Sequence, residues 1–386
     1  MSDAPPSKPR LRLLLDHFAA IEDDRAAWRV MYPLREVLFL VVCASICSCD
    51  DYEDIVDWGE ARLGFLRRYL DFHWGIPCVD WLRTLMNRVD PELFSACFMA
   101  WAAECWPERP DLLALDGKTS RGSHDRKAGQ APLHLVSAFA TNARLVLGQE
   151  ACADKGGEIG AISSLLDKLA QAGSLEGALV TIDAVACNPK IAGKITQHGA
   201  DYLLAVKANQ PGLRQEVERF FADAPPQALD IDIDLDKGHG RIEDRRVFVS
   251  RDIDWLNGQR RFPGEHRFPK LAAVAKIETR TELKDRCRRE TRYFICSRPI
   301  SAKDLAQAVR GHWRIETSLH WVLDVTFRED LSRLRKGHGA RNMATVRHFA
   351  LNLVRQLNDR RSIRLRRKRA DRNLDYLAQI LHTVPR

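Results

Sequence analysis

The chain has 386 residues, 45% of them hydrophobic and 29% charged, which is the balance of a soluble globular protein with room for two or three domains. Lys and Arg outnumber Asp and Glu by 60 to 52, and this net charge of +8 favours a polyanionic partner. The longest apolar run, residues 37–47, is shorter than the ~20 residues that a membrane span needs, and no signal peptide opens the chain, so we expect a cytoplasmic protein with no membrane partner.

Helical spacing marks the first part of the chain. In residues 11–105, Trp, Phe and Leu recur three and four residues apart, with breaks at Pro33, Pro77 and Pro91. This pattern predicts four to six short helices. We expect residues 1–106 to form an all-α N-terminal domain with a binding or assembly role.

Short apolar strands follow Pro110. Strands are predicted at 112–115, 133–140, 144–151, 178–182 and 201–206, and helices at 158–172, 189–198 and after Pro211. The order β-β-β-α-β-α-β-α is the one expected for a ribonuclease H-like α/β core, a mixed sheet flanked by helices, here in residues 107–228. The first and fourth strands each end in an acid, Asp116 and Asp183.

Alternation of polar and apolar residues returns at 246–250, 271–278 and 291–296. It predicts a β-rich insertion at 229–299, after which residues 300–358 return to the core. Residues 311–337 have the spacing of one amphipathic helix. On its polar side His312, Glu316 and His320 follow at i, i+4 and i+8.

The C-terminal segment, 359–386, holds the densest positive charge. Residues 360–372 contain eight Arg and Lys against the single Asp371. At their centre lie Arg366, Arg367, Lys368 and Arg369, which we expect to bind DNA; a solvated basic tail is the alternative.

Three acids could form one site. Asp116, Asp183 and Glu316 lie far apart in sequence, so they can meet only through the fold. Clustered carboxylates repel one another unless a cation lies between them, and Mg²⁺, with Mn²⁺ as substitute, prefers such ligands. Two such ions about 3.5–4 Å apart support phosphodiester chemistry.

Cationic groups near these acids would hold a DNA backbone. The candidates, each near an acid in sequence or at a strand end, are Lys118, Lys207, His312 and Arg314. Two alternatives stay open. Asp324 or Glu329 could replace Glu316 as third acid, and His312, Glu316 and His320 could hold zinc, although the HExxH spacing is absent.

Several motifs are recognisable as a set. They are LALDGKTSRGS at 113–123, TIDAVACN at 181–188, DYLLAVKANQP at 201–211, HGRIEDRR at 239–246 and HWRIETSLHWVLDVTFRED at 312–330. In this order they resemble the motifs of DDE transposases of bacterial insertion sequences, in particular the H-repeat-associated subgroup. DDR at 23–25, YPL at 32–34, GIP at 75–77 and NRVDPELF at 87–94 resemble that subgroup's N-terminal part.

The resemblance implies a ribonuclease H-like catalytic core with a β insertion before the Glu-bearing helix. It implies that Asp116, Asp183 and Glu316 are the catalytic, metal-binding triad. Such an enzyme cuts DNA at the terminal inverted repeats of its element and joins the freed 3′ ends to target DNA. Pairing two ends requires at least a dimer.

The chain departs from the family pattern near Glu316. Val309, His312 and Leu323 stand where the wider family has Tyr, Arg and Lys, so the phosphate contacts of those residues are expected to be absent or shifted. His312, Arg314 and His320 are the candidates to take them over. The subgroup's Ser-Asn-Glu-Ile is Gly-Gly-Glu-Ile at 156–159, and its Ala-Met-Gly-Cys-Gln is Ala-Val-Ala-Cys-Asn at 184–188.

Two other functions remain open at this stage. A catalytically inactive or domesticated transposase-derived protein would bind inverted repeats through residues 1–106 and the basic segment without cutting. A metal-dependent nuclease with a host role would cut DNA without joining strands.

Overall fold

The computed structural model describes residues 10–105, 112–125, 129, 131–152, 156–238, 241–257 and 267–382. The chain has a mixed α/β fold, as predicted, built around one sheet of nine strands. Among the described residues, no helix combines the length and apolar character that crossing a bilayer requires.

Helices are the only regular elements of the described chain before residue 106. They are α1 Arg10–Ala19, α2 Leu34–Ile46, α3 Tyr52–Ala61, α4 Leu63–Leu66, α5 Val79–Arg88 and α6 Pro91–Glu104, with a 3-10 turn at Ala27–Arg29. The start of α6 is fixed by Asp90, whose carboxylate accepts the N–H of Glu92 at 2.7 Å. The helices share one continuous apolar core with the sheet, so the division at residue 106 stays a prediction.

The centre of the sheet has the predicted order of elements. Its strands and helices are β1 Leu112–Thr119, β2 His134–Ala140, β3 Leu145–Ala151, α7 Glu158–Gln171, β4 Leu179–Ile182, α8 Pro189–Gln197, β5 Asp201–Val206 and α9 Pro211–Asp223. The first three strands are antiparallel neighbours, whereas β1, β4 and β5 run parallel. One boundary was wrong: β1 continues past Asp116 to Thr119, because its pairing with β2 extends that far.

The β-rich segment does not form a separate sheet. Its strands are β6 Asp230–Gly238, β7 Arg241–Ser250, β8 Ala273–Glu282 and β9 Cys287–Cys296, with the short helix α10 Asp254–Asn257. Because β9 pairs antiparallel with β5, the four strands extend the central sheet. Strand β6 was not among the predicted strands; it is an outer strand whose Ile231, Ile233 and Leu235 face solvent.

Alternate residues of the strands pack on opposite faces of the sheet. Leu112, Leu179 and Leu203 lie in a small apolar cluster with α11 (Ala302–His312). Leu113, Val180 and Leu204 belong to the larger core, which also contains residues of α7 and of the N-terminal helices. Helix α11 therefore covers one face of the strands that carry Asp116 and Asp183.

The predicted helix 311–337 is shorter and less regular than expected. After α11 comes a π-helix at Ile315–His320, then α12 at Trp321–Val325, where the helix ends. We call residues 302–325 the Glu316 helix. A 3-10 turn at Glu329–Leu331 follows, preceded by Arg328 at a φ of 54°. The left-handed backbone at Arg328 explains why the apolar spacing does not continue as helix.

Three further helices end the described chain, α13 Gly339–Gln356, α14 Ile363–Arg372 and α15 Leu374–His382. In its described part, residues 359–382, the basic segment is thus folded and is not a solvated tail. Arg367 is only 1% exposed; its guanidinium donates to the carbonyl of Ser45 and pairs with Asp50 at 3.0 Å. Its assignment as a DNA contact was wrong, because α14 turns this side chain into the core.

The neighbouring basic residues differ in their surroundings. Arg366 donates to the carbonyls of Val354 at 2.9 Å and Leu357 at 3.0 Å, so its guanidinium caps the end of α13. This use leaves it a poor DNA contact. Lys368 and Arg369 are exposed, the latter with its guanidinium over the Tyr376 ring, and their DNA-binding role stays a prediction.

A buried imidazole in α13 makes stability depend on pH. His348 is 1% exposed, and burial lowers its pKa to about 4, while the unfolded chain takes up this proton near pH 6.5. Protonation therefore favours the unfolded state as pH falls from about 6.5 to 4, by on the order of 3 kcal/mol.

We expect His348→Leu to flatten this loss of stability in acid. Urea unfolding of wild type and variant at pH 7.5 and pH 4.5 measures the difference between the two free-energy changes. The wild type should lose more stability than the variant over this interval. An equal loss in both would show that His348 contributes nothing to acid sensitivity.

Candidate active site

Strands β1 and β4 bring two aspartates side by side. Leu115 pairs with Ile182 in parallel register, and the next residues along the two strands are Asp116 and Asp183. Because matched positions on neighbouring parallel strands point to the same face, both carboxylates leave the sheet together, on the face that α11 covers. This register agrees with the expectation that the two acids meet through the fold.

Glu316 reaches the same place from the helix. With Asp116 and Asp183 it lines one cavity of about 190 Å³. The residue lies in the π-helical turn, and such turns are rare insertions that often occur at functional sites. The two alternatives for the third acid, Asp324 and Glu329, do not line this cavity and instead lie within 2.7 Å of the Lys118 ammonium.

Neighbouring carboxylates shift the pKa values of Asp116 and Glu316. Burial, together with the nearby charges of Glu316 and Asp183, raises the pKa of Asp116 to about 7, although the hydrogen bond from the Gly117 N–H opposes this rise. Burial and Asp183 also raise the pKa of Glu316. Asp183 differs: burial opposes ionisation, but the Ala184 N–H and the Lys207 ammonium outweigh it and lower its pKa.

Two histidines of the Glu316 helix turn toward the sheet. His312 Nδ1 lies 3.0 Å from the Thr181 hydroxyl, and His320 Nδ1 lies 3.5 Å from an Asp116 oxygen. Burial lowers the pKa of His312 and brings that of His320 to about 4. The His320 contact with Asp116 is therefore made by a neutral ring at neutral pH, and neither histidine offers DNA the cation that the sequence analysis expected.

Of the Lys and Arg residues near the acids that were predicted to contact DNA phosphates, one is buried and two are exposed. Lys118 is buried among acids, with its side chain 9% exposed, so it is not placed to contact a DNA backbone. Lys207 is exposed, and its ammonium lies 3.1 Å from Asp183. Arg314 is also exposed on the Glu316 helix. Lys207 and Arg314 stay candidates for phosphate binding.

Sequence reasoning missed a cation on the β-rich segment. Arg292, in β9, lines the cavity of the three acids, and its Nε is buried with no hydrogen-bond partner in the described part of the chain. The residue lies in a predicted strand, but nothing in the sequence indicated that β9 would pair with β5. Its approach to the acids depends on that pairing.

A second missed group flanks Asp116. The imidazole of His134 bridges the Thr119 hydroxyl at 2.7 Å and the Glu158 carboxylate at 2.6 Å, and Glu158 adds to the negative charge felt by Asp116. A Cβ at Gly117 would lie 2.7 Å from both Glu158 Oε1 and His134 Nε2. The glycine is needed for this close approach. The Gly-Gly-Glu-Ile motif was the available signal.

We expect Gly117→Ala to destabilise the protein by about 1–3 kcal/mol, because the methyl group must separate His134 from Glu158. Gly160→Ala is the matched control, since a Cβ there meets nothing within 4 Å and alanine favours the helix. Urea unfolding compares the two. Unchanged stability in Gly117→Ala would mean that the packing around Gly117 is loose.

The carboxylates at this cavity are chemically suited to a divalent metal ion, but their spacing in this structure is not that of a metal site. Three carboxylates on one cavity are the oxygen ligands that Mg²⁺ and Mn²⁺ prefer, and the raised pKa of Asp116 indicates a place that positive charge would stabilise. Within the described ranges, no three His, Cys, Asp or Glu side chains are gathered closely enough to hold a metal, which applies to these acids and to the zinc alternative. Asp183 instead bonds to Lys207 and Ala184.

Comparison with known proteins gives the family. The family "Transposase DDE domain" matches residues 107–353, and "DDE_Tnp_1-associated" matches residues 15–102. "Putative transposase YncI" of Escherichia coli O157:H7 is 36% identical over 379 residues, covering 96% of this chain and 95% of that protein. "H repeat-associated putative transposase YhhI" of Escherichia coli strain K12 is 36% identical over 383 residues, with 96% and 98% covered.

A solved structure, the piggyBac transposase synaptic complex with hairpin DNA, aligns with 96% of this chain and 78% of its own at 11% identity and a TM-score of 0.43, too low to establish a shared fold. The sequence matches are much stronger than this structural match. The two family regions follow one another along the chain, and the relatives align over nearly their whole length. The chain therefore belongs to the DDE transposase family, in its H-repeat-associated subgroup.

Proposed function

We propose that this transposase cleaves DNA at the terminal inverted repeats of an insertion sequence and transfers the 3′ ends to target DNA. Asp116, Asp183 and Glu316 are its proposed catalytic residues. The observation that carries the proposal is their convergence: two acids follow a matched pair of parallel strand residues, and the third lines the same cavity from a helix.

The strand order supports a ribonuclease H-like core. Three antiparallel strands are followed by two parallel ones, in the order β3-β2-β1-β4-β5; Asp116 lies in β1 and Asp183 directly follows β4. Both acids come directly after Leu115 and Ile182, the last matched pair of these two strands. The β-rich segment, which precedes the Glu316 helix in sequence, adds Arg292 to the site.

Asp116, Asp183 and Glu316 are the residues that would hold divalent ions, Mg²⁺ or Mn²⁺. Such ions, when bound, supply activation of the attacking oxygen and stabilisation of the leaving oxygen in phosphodiester chemistry. Asp183 would exchange its bond to Lys207 for this role, which frees the ammonium for a phosphate. His320 and His312 stay neutral and hold the site from the helix.

Positive groups at the rim would orient the DNA backbone. Lys207 and Arg314 are exposed, and Arg292 offers a buried Nε–H that makes no hydrogen bond among the described residues, with Glu290 3.9 Å away. A phosphate oxygen would accept from that N–H and remove the cost of an unpaired buried donor. Lys368 and Arg369 add exposed charge elsewhere on the surface. We propose that at least two copies assemble on DNA, since two element ends must be paired.

The test uses purified protein and end-labelled DNA that carries the short inverted repeats flanking its gene. With Mg²⁺ we expect cleavage at the repeat ends and covalent joining of labelled 3′ ends to a target duplex. Cleavage without joining would favour a nuclease over a transposase.

One observation favours a second candidate, a catalytically inactive DNA-binding protein. Lys207 neutralises Asp183, and His312 and Leu323 replace residues that the family uses near its glutamate. The logarithm of such a protein's affinity for the repeats would fall linearly with the logarithm of the salt concentration, as phosphate contacts require. It would show no metal-stimulated cleavage. Repeat binding without product at any Mg²⁺ or Mn²⁺ concentration would establish this alternative.

A further inference from the structure

Lys118 lies in an unusual environment for a lysine. Its ammonium is 2.7 Å from an Asp324 oxygen, 2.7 Å from a Glu329 oxygen and 3.7 Å from an Asp330 oxygen, while the side chain is only 9% exposed. Glu329, itself 3% exposed, also lies 3.6 Å from Arg347 of α13. A lysine with this many acidic partners is a buried structural cation.

The partners of Lys118 connect two elements of the active site. Lys118 follows Asp116 by two residues in β1, so both side chains leave the same face of the strand. Asp324 lies in α12, the last turn of the helix that carries Glu316. Glu329 lies in the 3-10 turn just beyond it.

The Glu316 helix touches β1 at three successive places. Gly311 lies against Leu112, so closely that a Cβ would collide with its side chain. His320 is 3.5 Å from Asp116, and Asp324 is 2.7 Å from Lys118. From Leu112 to Lys118 a strand rises about 20 Å, and from Gly311 to Asp324 a helix rises about the same distance, so the two elements run side by side.

The contacts between β1 and the two ends of the Glu316 helix differ in strength. The Gly311 contact is apolar and short in reach, and the His320 ring lies 3.5 Å from Asp116, which is longer than a normal hydrogen bond. The Lys118 contacts are charged; the one to Glu329 is shielded from water, where ion pairs are least screened, while the side chain of Asp324 is 34% exposed. The π-helical turn between these ends contains one residue more per turn than an α-helix, so the position of Glu316 along β1 depends on both ends being held.

We infer that Lys118 is a positioning residue that fixes the Glu316 helix along strand β1 and thereby sets Glu316 opposite Asp116. This inference rests on the proposed function for its meaning in catalysis, because it assumes that these two acids act together. It corrects the expectation that Lys118 binds DNA. Lys118 acts through Asp324 and Glu329 and does not touch the substrate.

The variants compare Lys118→Met with Lys168→Met. Lys168 also bridges two acids, Glu150 at 2.5 Å and Glu92 at 2.7 Å, but lies away from the Glu316 helix. Lys118→Arg keeps the charge, and Asp324→Asn removes one partner without removing the lysine. These two milder variants carry the test if circular dichroism shows that Lys118→Met does not fold.

The first readout is the affinity of the full chain for Mn²⁺ without DNA, measured by isothermal titration calorimetry. Loss of a residue that orients metal ligands costs about 10–100-fold in metal affinity, so we expect a loss of at least tenfold in Lys118→Met. Lys118→Arg should recover most of it, Asp324→Asn should be intermediate, and Lys168→Met should stay within threefold. Equal losses in Lys118→Met and Lys168→Met would overturn the inference.

The second readout is amide hydrogen exchange of residues 315–325. Exchange there should speed up in Lys118→Met and in Asp324→Asn, but not in Lys168→Met. This measurement needs no metal and no DNA, so it decides about Lys118 even if the wild type binds no Mn²⁺ and the proposed function fails. Unchanged exchange in both Lys118→Met and Asp324→Asn would overturn the inference.

Discussion

Asp116→Asn, Asp183→Asn and Glu316→Gln should each lower DNA cleavage by about 10³-fold or more. The reason is that a metal ion contributes several kcal/mol to the stabilisation of phosphoryl transfer, and about 1.4 kcal/mol is a factor of ten in rate. An amide keeps the volume of the acid but loses the negative charge that holds the cation. The measurement is single-turnover cleavage of end-labelled repeat DNA with Mg²⁺.

The folded structure should survive these changes. Asp116→Asn is expected to unfold at the same temperature as the wild type or higher, because a buried amide costs less desolvation than a buried carboxylate. Asp167→Asn is the matched control: this acid pairs with Lys194 and His198 on the surface of α7, and cleavage should change less than about twofold. Cleavage retained in all three site variants would remove the proposed mechanism.

Arg367→Met is expected to destabilise the protein by about 3–5 kcal/mol, the usual cost of breaking a buried ion pair from one side. It leaves Asp50 without its partner, 3.0 Å away, and removes donors from the Ser45 carbonyl. Chemical unfolding measures the loss. Adding Asp50→Asn should recover part of it, because the unpaired charge is then gone.

Lys368→Met separates stability from DNA binding. The residue is exposed, so the free energy of unfolding of the protein should change by less than about 0.5 kcal/mol in this variant. If Lys368 contacts a phosphate, the salt dependence of repeat binding should fall by about one unit of slope. Arg367→Met should show the reverse: lower stability, and unchanged salt dependence in the folded fraction. Weakened binding in folded Arg367→Met, with stability unchanged, would contradict the structure.

Much of the site could be predicted because it depends on short-range signals. Two apolar runs each precede an aspartate, and the order of strands and helices allows those runs to be parallel neighbours. The meeting of Asp116 with Asp183 follows from these facts. The position of Glu316 needed the resemblance, since spacing alone left Asp324 and Glu329 as alternatives.

The remaining features depend on contacts distant in sequence. Burial of Lys118 requires acids more than two hundred residues away, and no local pattern predicts this. For Arg367 a signal existed: with Ile363 and Ala370 it lies at the four- and three-residue spacing of a buried helix face, but the density of arginines hid it. The π-turn leaves no mark either, because one added residue barely alters apolar spacing.

Strand β6 has a consequence for the solubility of the protein. Its sequence alternates Asp with Ile or Leu, so the apolar row of an outer strand is open to water, while Asp230 and Asp234 contact Ala302 and Arg310 of α11. Stacking of this edge onto the same edge of another copy would oppose aspartate to aspartate, which is unfavourable. We therefore expect this row of aspartates to oppose edge-to-edge aggregation at high concentration.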